Sequence, residues 1–401
     1  MSNSIYVPGR GAVLVDTEAT YGEGADPALG IDDVVYAEDV AVDLSTDMIT
    51  RTGDSPERPG FRAVAGMNHV TLSMNTECRP KVQTGVTDAD APDIDHLLRA
   101  SGWSRVDDAA NTAQTYICGS HNAESAAVAV YQVNAEQNGG NASAQKYLIN
   151  GYRSDWSFTW NAGERWLWTF TGAGLVNSTP YSTVTDTEEA WIATLPGLDY
   201  GSDEPLTAKG ATGNGLVETE SSPRVLYGGG SLGSPSNQVL VLSLSASGNM
   251  GLSEQSGLSA SGGVGRVALA PSEPATLECV VEQTDLSGWN PFQYRDEATP
   301  IEINFKLTAT GTGLSTVTAQ IVAYGVITAC TAGDDTGRRT WGLTFQLVYP
   351  EDAADAAPAA GESPAQEFTD GADGAGIDYV PAGPPAGFGK LGIMAIQFVT
   401  T

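Results

Sequence analysis

The chain is short of the residues from which most functional sites are built. It has three histidines and four cysteines in 401 residues. His69, His96 and His121 stand at no spacing that suits a shared metal ion. Cys78, Cys118, Cys279 and Cys330 contain no C-x-x-C pair and are too sparse for a disulfide framework in a chain this long. Buried free thiols are the expectation. Positive charge is scarce too: 19 Lys and Arg face 49 Asp and Glu, for a net charge of −30. Such a chain repels DNA phosphates and anionic lipid instead of binding them through counterion release. Only five of its basic residues are lysine. An acidic, lysine-poor surface suits high salt, where screening weakens self-repulsion, and so points to a salt-loving or marine host. A biased genomic base composition leaves the same mark. No apolar run is long enough to span a bilayer as a helix. The opening MSNSIYVPGRGAVLV lacks a basic segment followed by an apolar one, so no export signal is expected. Folding in a cytoplasm fits all of this.

What the chain has is glycine, 47 copies, and short stretches in which apolar and polar residues alternate. Residues 36–44, 69–74, 239–244 and 301–307 follow the period of a half-buried strand. Residues 156–160 and 166–170, either side of Asn161-Ala-Gly-Glu-Arg165, predict a β-hairpin. One helix is expected over 93–102, with Ile94, Leu97 and Leu98 on one face, Pro92 near its start and Gly102 at its end. Residues 351–389 are rich in Ala, Pro, Gly and acid, and predict a linker or long surface loop. They lead to a β-prone segment, 391–399, able to return to its own sheet or to pair with a neighbour's edge.

Several features recur in the same order and predict an internal duplication. Leu44 to Met48 followed by Val70 to Cys78 parallels Leu244 to Met250 followed by Ala275 to Glu282. Arg153 to Trp160, a Gly-Glu-Arg turn and Trp168-Thr-Phe170 parallel Ile321 to Cys330, a Gly-Arg-Arg turn and Trp341 to Phe345.

Apparent catalytic motifs lack their context. Gly228-Gly-Gly-Ser-Leu-Gly233 satisfies both G-x-G-x-x-G and, around Ser231, G-x-S-x-G, but Ser-Pro-Ser-Asn follows where each mechanism needs a helix. The acidic loop 370–378 lacks the alternating ligands of a calcium loop. Asp107-Asp108 and Glu188-Glu189 are adjacent, so in extended chain each pair points opposite ways. The reading is of a non-enzyme with no cofactor and no metal.

The order of Thr17-Glu-Ala-Thr-Tyr-Gly22, Leu97-Leu-Arg-Ala-Ser-Gly102, Gly151 to Phe158, Ala162-Gly-Glu164 and Trp166 to Phe170 resembles the tail tube (major tail) proteins of long-tailed bacteriophages and related archaeal viruses. The resemblance covers residues 13–174 well and reaches the second half only through the duplication. It implies a mainly β, tail-tube-type β-sandwich or barrel with a flanking helix and a long acidic C-terminal loop or arm. Residues 1–178 and 237–350 would be the two β domains, 179–236 a Gly/Ser/Thr-rich connection, 351–389 the acidic linker and 390–401 the final strand. It also implies a virion protein that polymerises into stacked rings around a lumen, as a trimer with pseudo-sixfold symmetry or a hexamer. Its partners would be further copies of itself, a tape-measure protein and tail terminator or tip proteins. Double-stranded viral DNA would pass through without specific binding. Candidate lumen carboxylates are Glu77, Asp155, Glu278 and Glu282. Candidate subunit contacts are Ile94, Leu97, Leu98, Leu391, Ile393, Ile396 and Val399, for which ordinary intrachain core is the competing reading. The competing function is a carbohydrate-binding or adhesive β-sandwich on a virion or cell surface, suggested by eight tryptophans.

Overall fold

The computed structural model describes residues 6–22, 29, 33–49, 64–78, 92–107, 113–118, 124–134, 145–161, 164, 166–183, 224–227, 241–256, 264–269, 274–283, 286, 290–298, 300–310, 316–335, 337–348 and 394–400. The glycine motif 228–233, the acidic loop 370–378, His121, Leu391 and Ile393 lie outside these residues. The class is mainly β. In chain order come β1 (Tyr6–Thr17), β2 (Val34–Val35), β3 (Ala37–Ile49), β4 (Val64–Glu77), α1 (Asp95–Ala100), β5 (Trp103–Asp107), β6 (Ala113–Cys118), β7 (Ala126–Asn134), β8 (Gln145–Asn161) and β9 (Leu167–Thr183). Then follow β10 (Arg224–Tyr227), β11 (Val241–Gly248), β12 (Leu252–Ser256), β13 (Val264–Leu269), β14 (Thr276–Glu282), α2 (Pro291–Asp296), β15 (Pro300–Thr310), β16 (Thr316–Asp335), β17 (Arg338–Leu347) and β18 (Met394–Thr400).

The central ladder is antiparallel and runs β3-β4-β9-β8-β11-β14-β17-β16. The two-residue period makes one of its faces apolar. Leu277, Cys279 and Val281 of β14 are buried, while Thr276 before them and Glu278 between them are exposed. The same period buries Trp156, Phe158 and Trp160 on β8 and Trp168 and Phe170 on β9. Trp103, on β5, meets this cluster edge-on, 5.0 Å from Trp156 and 6.1 Å from Trp168. Phe158 lies 4.9 Å from Trp168. Offset and edge contacts of this kind add to the area each ring buries.

A second layer grows from the two longest strands. One edge of β8 is shared: β7 pairs along 145–152 and β11 along 156–161, while β9 takes the opposite edge. Gly151, at φ 60°, sits where the register with β9 shifts. β1 and β2 continue outward from β7. One edge of β16 is shared likewise, by β18 along 317–323 and β17 along 325–335, with β15 and then β10 on the other side. β6 and β5 continue from β18. The layers enclose one core in a sandwich-like arrangement, and the strands close no barrel among the described residues.

The last strand returns to its own sheet. β17 ends with Leu347 opposite Gly325, and β18 begins with Met394 opposite Ala323. The two therefore lie end to end along β16, and residues 348–393 interrupt a single line of strand.

Both short helices have local causes. α1 is shorter than the expected 93–102 but stops at Gly102, whose φ of 86° favours glycine. α2, which the hydrophobic pattern misses, carries a start signal. Asn290 Oδ1 accepts from the N–H groups of Phe292 and Gln293, and Pro291 occupies the first helical turn.

Trp168→Ala is expected to cost about 3–5 kcal/mol, as for other buried aromatic truncations. Thr171→Ala, on the opposite face of the same strand, is expected to cost less than about 1 kcal/mol. Urea denaturation midpoints compare the two directly.

Candidate functional site: the polar face of the ladder

The ladder face turned away from the core is lined with hydroxyls and amides. One row crosses six strands in register: Asn75, Thr169, Ser157, Ser247, Thr276 and Gln346. A neighbouring row runs Glu77, Leu167, Thr159, Ser245, Glu278 and Thr344. The side chains satisfy one another across the strands. Thr169 Oγ1 donates to Asn75 Oδ1 at 2.8 Å, and the hydroxyls of Ser73 with Thr171 and Ser247 with Thr276 are 3.2 and 3.1 Å apart. Polar groups already paired within the sheet leave little unmet hydrogen-bonding demand for a ligand.

Carboxylates punctuate this face. Glu278 is exposed, and Glu282 and Asp155 are half-buried on the same side. Glu77 shares their row but is 3% exposed, so in the single chain its carboxylate does not line an aqueous surface. Strand parity places Glu77 on the right face, but burial is not visible in the alternation. Asp155 accepts from the Met250 N–H at 2.6 Å. Burial raises its pKa above the ordinary carboxylate value, partly offset by that N–H.

Near Asp155 the face is covered by the hairpin β12–β13, which had not been expected. Its cue was present: two short alternating segments around Gly257-Leu-Ser-Ala-Ser-Gly-Gly263. Arg153 fastens it, donating from Nη1 to the Val267 carbonyl at 3.0 Å, with its guanidinium 4.9 Å from the Tyr21 ring centroid. Tyr21 Oη accepts from the Val267 N–H, and His69 on β4 contacts Glu254 on β12. The Glu-Ala-Thr-Tyr-Gly stretch thus has a structural task. Glu18 accepts from Gly22 N–H, Ser125 Oγ and Gly151 N–H, at 2.8, 2.7 and 2.9 Å. It ties the end of β1 to the start of β7 and the bend in β8.

The structure separates the candidate subunit contacts. Ile94, Leu97 and Leu98 are fully buried in the chain's own core, as is Ile396 on β18. Val399 pairs through its backbone with Thr318 and Ala113. At the start of α1, the buried Asp95 accepts from Tyr116 Oη at 2.6 Å and lies 3.5 Å from both Arg99 and Arg105.

Reactive groups are not gathered. His96 Nδ1 accepts from the Thr17 N–H at 3.3 Å, and no group of His, Cys, Asp or Glu among the described residues could hold a metal ion. The four cysteines are free. Burial pushes the Cys279 thiol to about 12 and Cys78 well up, which leaves both as poor nucleophiles. Trp103, Trp156, Trp160, Trp166, Trp168 and Trp341 are buried, so none offers a ring to a sugar. Among the described residues no helix is long and apolar enough to cross a membrane. The chain matches no protein-family model and no curated protein.

A titration tests the account of Asp155. Its pKa is raised by folding, so its charge costs stability above that pKa and costs nothing below the unfolded value. Asp155→Asn keeps an acceptor for Met250 and removes the charge. It is expected to melt slightly above the parent at pH 7, with the gap closing as the pH falls below about 4.

Proposed function

We propose that this chain is a non-enzymatic, self-assembling structural subunit. More particularly, we read it as the tail tube protein of a long-tailed virus, folded in the host cytoplasm and built into the virion tail. Rings of it, three duplicated chains or six subunits each, would stack into a hollow tube that conducts the genome. The tape-measure protein would occupy the tube during assembly, and terminator and tip proteins would cap it.

The observation that carries this reading is an order of pairing that occurs twice. β1-β7-β8-β9-β4-β3 and β10-β15-β16-β17-β14-β11 are paired alike, and their strands come in the same chain order. α1 follows β4 as α2 follows β14. The sequence parallels at Leu44 and Leu244, and at Trp168 and Trp341, fall on matching strands, whereas Cys78 follows the end of β4 and Cys279 lies within β14. This supports a tandem duplication whose two units sit side by side in one sheet. A unit that associates edge to edge with its own copy has the property a ring requires.

The polar face suits the wall of a conduit. Hydroxyls along it are paired across strands, and Glu278 and Glu282, away from the β12–β13 hairpin, would repel phosphates, letting DNA slide without sticking. In a reconstituted virion, Glu278→Lys is expected to slow genome release; unchanged release removes that role from Glu278.

Negative-stain electron microscopy of the purified protein across a salt series tests the whole reading. Rings or hollow tubes are expected, most readily at high salt where the net charge of −30 is screened. Compact monomers at every concentration and salt would favour the adhesive β-sandwich instead.

A further inference from the structure

We infer that the slot between β6 and β16 is a recognition site for one extended peptide, residues 394–400 of the same chain, and that filling it is a separate, final step of folding. Until β18 docks, β5 and β6 have no backbone partner beyond each other. The inference concerns the single chain and goes beyond the self-assembly reading, on which it does not depend.

The first argument is connectivity. Among the described residues β5 pairs only with β6, and β6 pairs only with β5 and β18. β18 joins β16 along its other edge, with Met394 opposite Ala323 and Thr400 opposite Val317. The β5–β6 pair directly follows α1 in the first half of the chain. Its only backbone link to the rest of the sheet is therefore the last of the described strands. With β18 away, one edge of β6 and residues 317–323 of β16 each present unpaired N–H and C=O groups. One extended segment satisfies both edges at once.

The second argument is register. A hairpin strand takes its register from its turn. β18 forms no hairpin with either neighbour, and β17, the strand before it in sequence, lies end to end with it along β16. The slot itself must select the register. Met394, Ile396 and Phe398 enter the main core, while Ala395, also buried at 2% exposure, stays out of it. The slot thus takes large apolar side chains on one face and a small one on the other. A slip of one residue would bring Met394 or Ile396 to the face that Ala395 fits.

The third argument is what the docked strand holds in place. Phe398 lies 5.8 Å from Tyr116 and 6.4 Å from Trp166, ring centre to ring centre. Tyr116 on β6 donates to the buried Asp95, and Trp103 on β5 meets Trp156 at 5.0 Å. Part of the cover over the first half's core, and a donor to a buried carboxylate, thus come from strands that β18 secures. Synthesis makes β18 after every other described strand, so the first half is completed only once the second has been made. The device keeps a chain without residues 394–400 from reaching the folded state.

Hydrogen exchange on the full chain, at a dilution where single chains are read, tests this. Ile396→Arg places a charge at a fully buried position in the slot. The amides of β5 and β6 are expected to exchange about tenfold faster or more, while β8, β9 and β14 keep the parent's protection. A synthetic peptide with the sequence of residues 391–401 is expected to restore protection to β5 and β6 in that variant. The same peptide carrying Ile396→Ala is expected to need a concentration about 30-fold higher or more. Unchanged protection of β5 and β6 in the variant would overturn the inference. So would equal loss in every strand, which would make β18 part of one indivisible fold. Faster exchange that the peptide fails to reverse would overturn recognition by the slot. Each of these failures leaves the tube reading standing, because none of them reads assembly.

Discussion

The ladder depends on the central role of one segment, Trp156-Ser-Phe-Thr-Trp160. Its backbone bonds β9 on one side and β11 on the other, and among the described residues it makes the only direct pairing between the two four-strand sets. Its three rings are buried on one face, while Ser157 and Thr159 lie in the polar rows on the other. Removing the alternation would therefore do two kinds of damage at once: it would empty the middle of the core and disconnect the two halves of the sheet. The neighbouring bend at Gly151 lets the same strand change partners from β7 to β11, so one continuous strand serves both layers.

Much of this was legible in the sequence because it rests on a period of two. The strands expected over 36–44, 69–74 and 301–307, the described part of 239–244 from Val241 on, the two strands of the tryptophan hairpin and the helix at Leu97 are found where the alternation and turn residues put them. The face of each acid could also be read by counting along a strand. Burial could not, since it depends on what lies above a strand, and Glu77 shows the difference. The hairpin β12–β13 was missed because its strands are short and serine-rich, and α2 because its single turn has too few residues to show a helical period. The destination of β18 was open because a strong strand former at the end of a long segment carries no record of which edge it meets.

Electrostatics divides along the same lines. Charge taken into the interior at Asp95 is matched by Tyr116, Arg99 and Arg105, and the half-buried Glu18 accepts from three donors. Unmatched interior charge is costly, and the few cations in the chain are spent partly on such positions. Exposed carboxylates such as Glu278 face water, where repulsion between molecules falls as ionic strength rises.

The break between β17 and β18 has a consequence for how this protein can vary. Both ends of residues 348–393 are fixed on one strand line, opposite Gly325 and Ala323, so their length has no bearing on the register of any strand. Closing a longer loop between fixed ends costs only about 0.6 kcal/mol for each doubling. Residues added or removed between the two strands therefore change the length of the chain without asking the sheet to change its pairing.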